Sequence, residues 1–216
     1  MKQVLYDKKG MVFVDDVPAP AIGPNEILVK NEFSLLSPGT EKSMISLMKK
    51  PLYKMALERK DLTKQVIKFA KESGVKQTMD LVKSRLDVWH LLGYSCAGTV
   101  EKVGANIEGI GIGDMVACTG SGFANHAEYI ASPKNMFARA PKGVSSKEAA
   151  FAGIGAIAMQ SIRQLNPTLG ETHVVLGMGL IGQIVAQLLK ANGCKVIGID
   201  PDKKRAEKDY VDLSLK

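Results

Sequence analysis

Cysteine is scarce in this chain. Only Cys96, Cys118 and Cys194 occur among 216 residues, far apart and with no Cys-x-x-Cys pair. That argues against a disulfide framework and against a structural zinc knuckle. Long apolar runs are missing too. No stretch approaches the roughly 20 residues that cross a bilayer, and the opening MKQVLYDKKG holds no apolar signal-peptide core. The expected location is therefore the cytoplasm. Internal repeats and low-complexity tracts are also absent, which leaves solenoids and disordered tails aside. With 45% apolar and 24% charged residues, the composition is that of a soluble globular chain, sized for one large domain or two small ones.

Charge is present but localised. The net charge is +7, and the segment from Lys42 to His90 holds 12 Lys and Arg against 5 Asp and Glu, so that segment carries the whole surplus. A lysine-rich helical face is most simply a solvated one, and neither nucleic acid nor membrane is expected as a partner.

The texture of the chain changes several times. MVFVDDV and EILVKNEFSLL read as strands joined by the turn-rich PAPAIGPNE. From about residue 42 to 90 a helical pattern takes over, with Leu62, Val66, Phe69 and Ala70, then Val75, Met79, Val82 and Leu86, at helical spacing. Gly74 between the two sets suits a helix C-cap. Glycine-punctuated strands return in CAGTVEKVG and GDMVACT. A helix follows, with Ser145 and Glu148 at capping-box spacing and Pro167 beyond its end. The organisation expected is a β-rich domain over 1–140 with a helical insertion, then an α/β unit over 141–216.

That last unit carries the sharpest motif. In VVLGMGLIGQ, Gly177, Gly179 and Gly182 spell G-x-G-x-x-G. THVVLG supplies a strand before it, and Leu180, Ile181, Ile184, Val185, Leu188 and Leu189 form a helical apolar stripe after it. Gly193 ends the helix, and KVIGID closes on Asp200, 18 residues after Gly182. This context makes the motif a dinucleotide fingerprint. Gly177 permits the tight turn, Gly179 the approach of a pyrophosphate, and Gly182 the packing of helix on sheet. The loop and first turn, Gly177, Met178, Gly179, Leu180, Ile181 and Gly182, would face the phosphates. Asp200 would accept a hydrogen bond from a ribose 2′-hydroxyl and repel a 2′-phosphate, which favours NAD over NADP. Lys203, Lys204 and Arg205 work against that preference.

With this unit following a glycine-studded β domain, the chain resembles the medium-chain dehydrogenase/reductase superfamily, of the zinc-type alcohol dehydrogenase-like kind. GYSCAGTVEKVGANI echoes that family's G-H-E-x-x-G-x-x-x-x-x-G-x-x-V through Gly93, Gly98, Gly104 and Ile107. The resemblance implies a GroES-like catalytic domain followed by a Rossmann domain, and hydride transfer between NAD(H) and an alcohol or carbonyl. The family's three zinc-ligand positions fall on Pro38 or Ser37, on Tyr94, and near Ile154, and the four-cysteine zinc lobe has no counterpart. No zinc is expected, because a catalytic zinc needs three protein ligands. His126 with Cys118 is the remaining metal candidate, and a structural hydrogen-bonding role suits His126 better.

Without zinc the proton needs another carrier. The matching positions offer Tyr94 as a hydrogen-bond donor to a carbonyl oxygen, Thr40 as relay and Glu41 as orienter. Ordinary packing of Tyr94 and an ordinary ion pair at Glu41 stay open beside these roles. A narrower resemblance, carried by SLLSPGTEK, the insertion and PTLGETHVVLGMGLIG, is to bacterial bi-domain oxidoreductases linked to polysaccharide biosynthesis. It implies a sugar or sugar-nucleotide substrate, and a homo-oligomer or a second oxidoreductase domain as partner. Only the first part of a Rossmann domain fits after Glu171, so a fragment of a longer protein is expected. A non-catalytic nucleotide-binding or scaffold module and an NADPH-linked quinone or enoyl reductase remain alternatives.

Overall fold

The computed structural model describes residues 1–51, 54, 57, 60–86 and 88–215. The chain separates into two compact units, Met1–Ala150 and Phe151–Lys216.

The first unit is built on two sheets. Strands β1 (Lys2–Tyr6), β2 (Val12–Asp16) and β4 (His90–Leu91) form one, in the order β2-β1-β4. Strands β3 (Glu26–Ser34), β5 (Ser95–Val103), β6 (Met115–Thr119), β7 (Tyr129–Pro133) and β8 (Phe137–Arg139) form the other, in the antiparallel order β7-β3-β5-β6-β8. Alternation sorts the side chains of β5. Cys96 and Val100 join Ile27, Val29, Val116 and Ile130 in the main core, whereas Ala97 faces Ala117, Ala149 and Ala150. That second face carries only small residues, so the short helix α4 (Ser146–Ala149) can lie on it. The Ser95 hydroxyl donates to the Ala150 carbonyl at 2.7 Å. The Ser145–Glu148 capping box forms at the start of α4.

Between β3 and β4 come the helices α1 (Pro38–Met48), α2 (Lys60–Ser73) and α3 (Val75–Leu86). Gly74, at φ +88, separates α2 from α3 in the left-handed conformation the sequence anticipated. Residues 52, 53, 55, 56, 58, 59 and 87 of the insertion lie outside the described residues.

The second unit consists of α5 (Ala152–Leu165), β9 (Thr172–Leu176), α6 (Leu180–Ala191), β10 (Lys195–Ile199), α7 (Lys203–Ala206) and β11 (Leu213–Leu215). Its strands are parallel in the order β11-β10-β9. Val175, Met178, Ala186, Leu189, Cys194 and Val196 form its core. This is the strand–turn–helix–strand unit read from the sequence, with β11 added by the last residues.

Gly98 illustrates how tightly the first unit is closed. It pairs with Asn31 of β3 on one side and Val116 of β6 on the other, and an added Cβ would overlap the Lys30 carbonyl oxygen. Neither neighbour can retreat without breaking a ladder. Gly98→Ala is expected to cost about 1–3 kcal/mol, read as a lower urea midpoint at unchanged slope. An unchanged midpoint would show that β3 and β5 are more loosely joined than the register implies.

Candidate functional site

The first candidate centre lies wholly in the β-rich unit and begins at α1. Ser37 is extended and Pro38 starts the helix, a position where the missing N–H costs nothing. One turn in, Glu41 bends back so that Oε1 accepts the Ser37 backbone N–H at 2.8 Å. Its other oxygen lies 3.2 Å from His126 Nε2, and His126 Nδ1 lies 2.8 Å from Ser34 Oγ. Glu41 is only 6% exposed, and the His126 side chain only 10%. A carboxylate can only accept, so the network assigns the His126 proton to Nε2 and leaves Nδ1 to accept from the Ser34 hydroxyl. Donors and acceptors then run in one direction: Ser34 to His126 to Glu41.

Strands β1 and β3 and the residue that follows β4 hold this histidine. The Val4 N–H donates to the His126 carbonyl at 2.9 Å, and the His126 N–H donates to the Leu92 carbonyl at 2.8 Å. The Asn31 side-chain amide donates to the carbonyls of Asn125 and Ala127, at 3.2 and 2.8 Å, and so clamps both neighbours of His126. A register shift in β3 between Asn31 and Phe33 adjoins both Asn31 and Ser34; bulges of this kind re-aim side chains beside functional sites. Gly93, at φ +93, must lack a side chain, because a Cβ there would lie 2.8 Å from the His126 nitrogen. The Ser34, Glu41 and His126 side chains line a cavity of about 660 Å³ with apolar walls from Leu36, Ile45 and Leu92. A largely apolar cavity with a few convergent polar groups is what a small-molecule site requires.

The expected relay from Tyr94 through Thr40 to Glu41 is not the arrangement observed. Thr40 is exposed, and its nearest polar partner is the Ser37 hydroxyl at 3.5 Å. Tyr94 is half-buried, and its main-chain carbonyl accepts from Gly120 N–H and the Thr119 hydroxyl. Among the described residues no hydrogen bond joins Tyr94 to Thr40 or Glu41. Adjacent residues on a helix point about 100° apart, so Thr40 and Glu41 serve different neighbours. His126 was legible as a hydrogen-bonding residue, but Ser34 and Asn31 carry no sequence signal, because a bulge and long-range contacts bring them there.

Zinc does not fit this centre. Ser37 is tied to Glu41 through its backbone, and at the third ligand position Ile154 is a fully buried aliphatic residue of the second unit. Cys118 sits opposite Cys96 across β5 and β6, in the sheet core. Hydrogen bonding with Cys118, together with burial, pushes the Cys96 thiol well above its ordinary range. Both ring nitrogens of His126 are already engaged by Ser34 and Glu41, so Cys118 and His126 form no metal site.

The second centre lies in the α/β unit. Gly177 turns at φ +87 after β9, and an added Cβ at Gly177 or Gly179 would meet no atom within 4 Å, which leaves open space over the loop. Gly182 is the opposite case: a Cβ there would run into the Gly177 carbonyl oxygen. The loop and the first turn of α6 are therefore in backbone contact. The N–H groups of Leu180, Ile181 and Gly182 belong to that first turn, where a helix leaves its donors unpaired and its dipole positive. These residues fit a pyrophosphate.

Met178 and Asp200 depart from their expected roles. The Met178 side chain is fully buried in the core, and its N–H donates to Asp200 Oδ2 at 2.8 Å. Asp200 Oδ1 accepts the Asp202 N–H at 2.8 Å, and the residue is 5% exposed. Asp200 thus fastens the glycine turn to the end of β10 and turns the chain into α7. Each oxygen keeps one lone-pair direction for a ribose hydroxyl. Gln183 adds a brace that no motif announces, donating to the Met178 carbonyl and accepting from the Tyr210 hydroxyl. A cavity of about 230 Å³ at the carboxyl ends of β10 and β11 is lined by Asp200, Pro201, Lys203 and Ser214, among others. That is where a doubly wound sheet takes its ligand.

The model of the D-isomer specific 2-hydroxyacid dehydrogenase NAD binding domain matches residues 155–215. The D-guloside 3-dehydrogenase of Escherichia coli is 34% identical over 118 residues, a match covering 54% of this chain and 33% of that protein. The D-xylulose reductase A of Aspergillus oryzae is 26% identical over 145 residues, covering 54% and 40%. The chain thus spans less than half the length of these curated relatives. The quinone oxidoreductase of Coxiella burnetii shares the fold at a TM-score of 0.73 and 21% identity, over 100% of this chain and 62% of that one. The chain shares the fold of the quinone oxidoreductase and, over about half its length, resembles the guloside dehydrogenase and the xylulose reductase in sequence.

Proposed function

We propose that the chain supplies the dinucleotide site and the proton-handling groups of a zinc-independent, NAD(H)-linked dehydrogenase acting on an alcohol or carbonyl of sugar type. The observation that carries this reading is the glycine turn, open above Gly177 and Gly179 and backed by the first-turn donors of α6. The names of the guloside dehydrogenase and the xylulose reductase support a sugar-type substrate. A sugar nucleotide and a cytoplasmic location belong to the same proposal.

Bound NAD supplies a hydride acceptor. The chain's own task is the carbinol proton, which leaves to Ser34 Oγ as the Ser34 proton passes to His126 Nδ1. The resulting imidazolium keeps its Nε2–H on the Glu41 carboxylate, and attraction across 3.2 Å away from water stabilises it. In the reducing direction the same proton returns to the developing alkoxide. Thr40 and Tyr94, on the matching family positions, would bind the substrate oxygen rather than relay its proton. A second reading, an NADPH-linked carbonyl or quinone reductase, is favoured by Lys203, which lines the same cavity as Asp200.

Titration of the chain with NADH and NADPH, followed by fluorescence, tests the cofactor reading directly. Saturable binding with NADH tighter is expected. Gly182→Val should abolish it in a protein that keeps its helical circular dichroism, and tighter NADPH would establish the second reading instead. Asp200→Asn should narrow the NADH preference on the order of tenfold, the loss of one charge-assisted contact. If the preference did not change, Asp200 would be left as a clamp for the turn alone. His126→Gln should leave cofactor binding intact and lower kcat by about 10²–10⁴ for methyl glycoside oxidation or D-xylulose reduction, with partial rescue by added imidazole. Full turnover by this variant would remove His126 from the mechanism.

A further inference from the structure

The cavity beside the Ser34–His126–Glu41 chain carries a second set of groups that the proton path does not use. Lys42, Ile45 and Ser46 of α1 line it, together with Lys49, the residue that caps that helix. Their spacing of three, one and three residues places them on one helical face. At a rise of about 1.5 Å per residue, Lys49 stands about 12 Å along that face from Glu41. The cavity therefore runs from the histidine near the start of α1 to Lys49 at its end. The Lys49 stem lies across the turn between β1 and β2, where a Cβ added at Gly10 would come within 2.7 Å of its Cε and 2.9 Å of its Cγ. That contact fixes the base from which the ammonium group reaches.

Charge and hydrogen-bonding capacity select the ligand. Glu41 is the one acid on the cavity wall among the described residues, and its oxygens are committed to the Ser37 N–H and to His126. No hydrogen bond or ion pair among the described residues engages the ammonium group of Lys42 or Lys49. An ammonium offers three donors and no acceptor. A neutral sugar presents hydroxyls that need acceptors as well, and much of the remaining wall, Val4, Val12, Leu36, Pro38 and Leu92, is aliphatic. Two uncompensated cations over apolar walls instead suit an anion carried on a small organic body. A phosphate ester carries up to about two negative charges and several strong acceptor oxygens, so one group can engage both lysines.

We infer that this cavity takes its substrate by a phosphate ester, which Lys42 and Lys49 hold while the carbinol to be oxidised lies against Ser34 Oγ. The two lysines are specificity-determining residues and move no proton. The same chemistry is offered by a sugar monophosphate and by the diphosphate of a sugar nucleotide. The ligand's role as substrate rests on the dehydrogenase reading, whereas the anion site rests on the cavity alone.

Calorimetric titration of the full chain with glucose 1-phosphate, UDP-glucose and methyl α-D-glucoside tests it. At least one phosphate ester is expected to bind saturably, about tenfold or more tighter than the neutral glucoside. Lys42→Gln/Lys49→Gln should weaken that binding by about tenfold or more, with circular dichroism unchanged because both lysines are exposed. Gly182→Val, in the other unit, should leave it as it was. UDP-glucose the tighter of the two assigns a sugar nucleotide, and glucose 1-phosphate the tighter assigns a monophosphate. Phosphate esters that bind no better than the glucoside would overturn the inference. So would binding that the double variant keeps, or binding that Gly182→Val removes. NADH titration of the same protein separates the two readings. Failure of the phosphate esters in a chain that binds NADH strikes the anion site alone, and their binding in a chain that ignores NADH upholds the site and strikes the dehydrogenase reading.

Discussion

A carboxylate removed from water must be given donors, and two such groups organise this protein. Glu41 is enclosed at the start of α1 and is met by the Ser37 N–H and the His126 ring. Asp200 is enclosed at the end of β10 and is met by the N–H groups of Met178 and Asp202. An unpaired buried charge would cost several kcal/mol, so each carboxylate dictates where its partners lie. The first sets the orientation of His126, which lines the cavity, and through it the Ser34 hydroxyl. The second sets the path of the glycine turn on which a pyrophosphate would rest.

Both arrangements depend on backbone approaching backbone or ring where a side chain would intrude. Gly93 gives the His126 segment its place, and Gly182 gives the glycine turn its contact with α6. The hydrogen bonds that finish each centre come from unrelated parts of the chain. Asn31 clamps the loop around His126, Val4 holds that residue's carbonyl, and Gln183 with Tyr210 braces the turn from beneath. The outcome is a directed donor–acceptor chain from the Ser34 hydroxyl through the His126 imidazole to the Glu41 carboxylate.

The insertion follows a different logic. Its helices have well-separated faces, but the sheets of the β-rich unit do not take up the apolar ones. What residues 42–90 add is surface, and that segment carries the chain's net positive charge.

Local features were legible from the residues alone. Periodicity located α2, α3 and α6, the capping box located α4, and the spacing of Gly177, Gly179, Gly182 and Asp200 announced the dinucleotide turn, because each of these depends on neighbours within about 20 residues. Asp200 stands at the end of β10 as its position after KVIGI implies, but its partners were not foreseen, since an end-of-strand acid says nothing of which N–H groups reach it. The Ser34–His126–Glu41 chain was beyond sequence reading. Its members are 92 and 85 residues apart, and only the pairing of β3, the bulge at Asn31 and the burial of Glu41 bring them together. Local conformational preference wrote the motifs, whereas packing and the need to satisfy buried polar groups chose their partners.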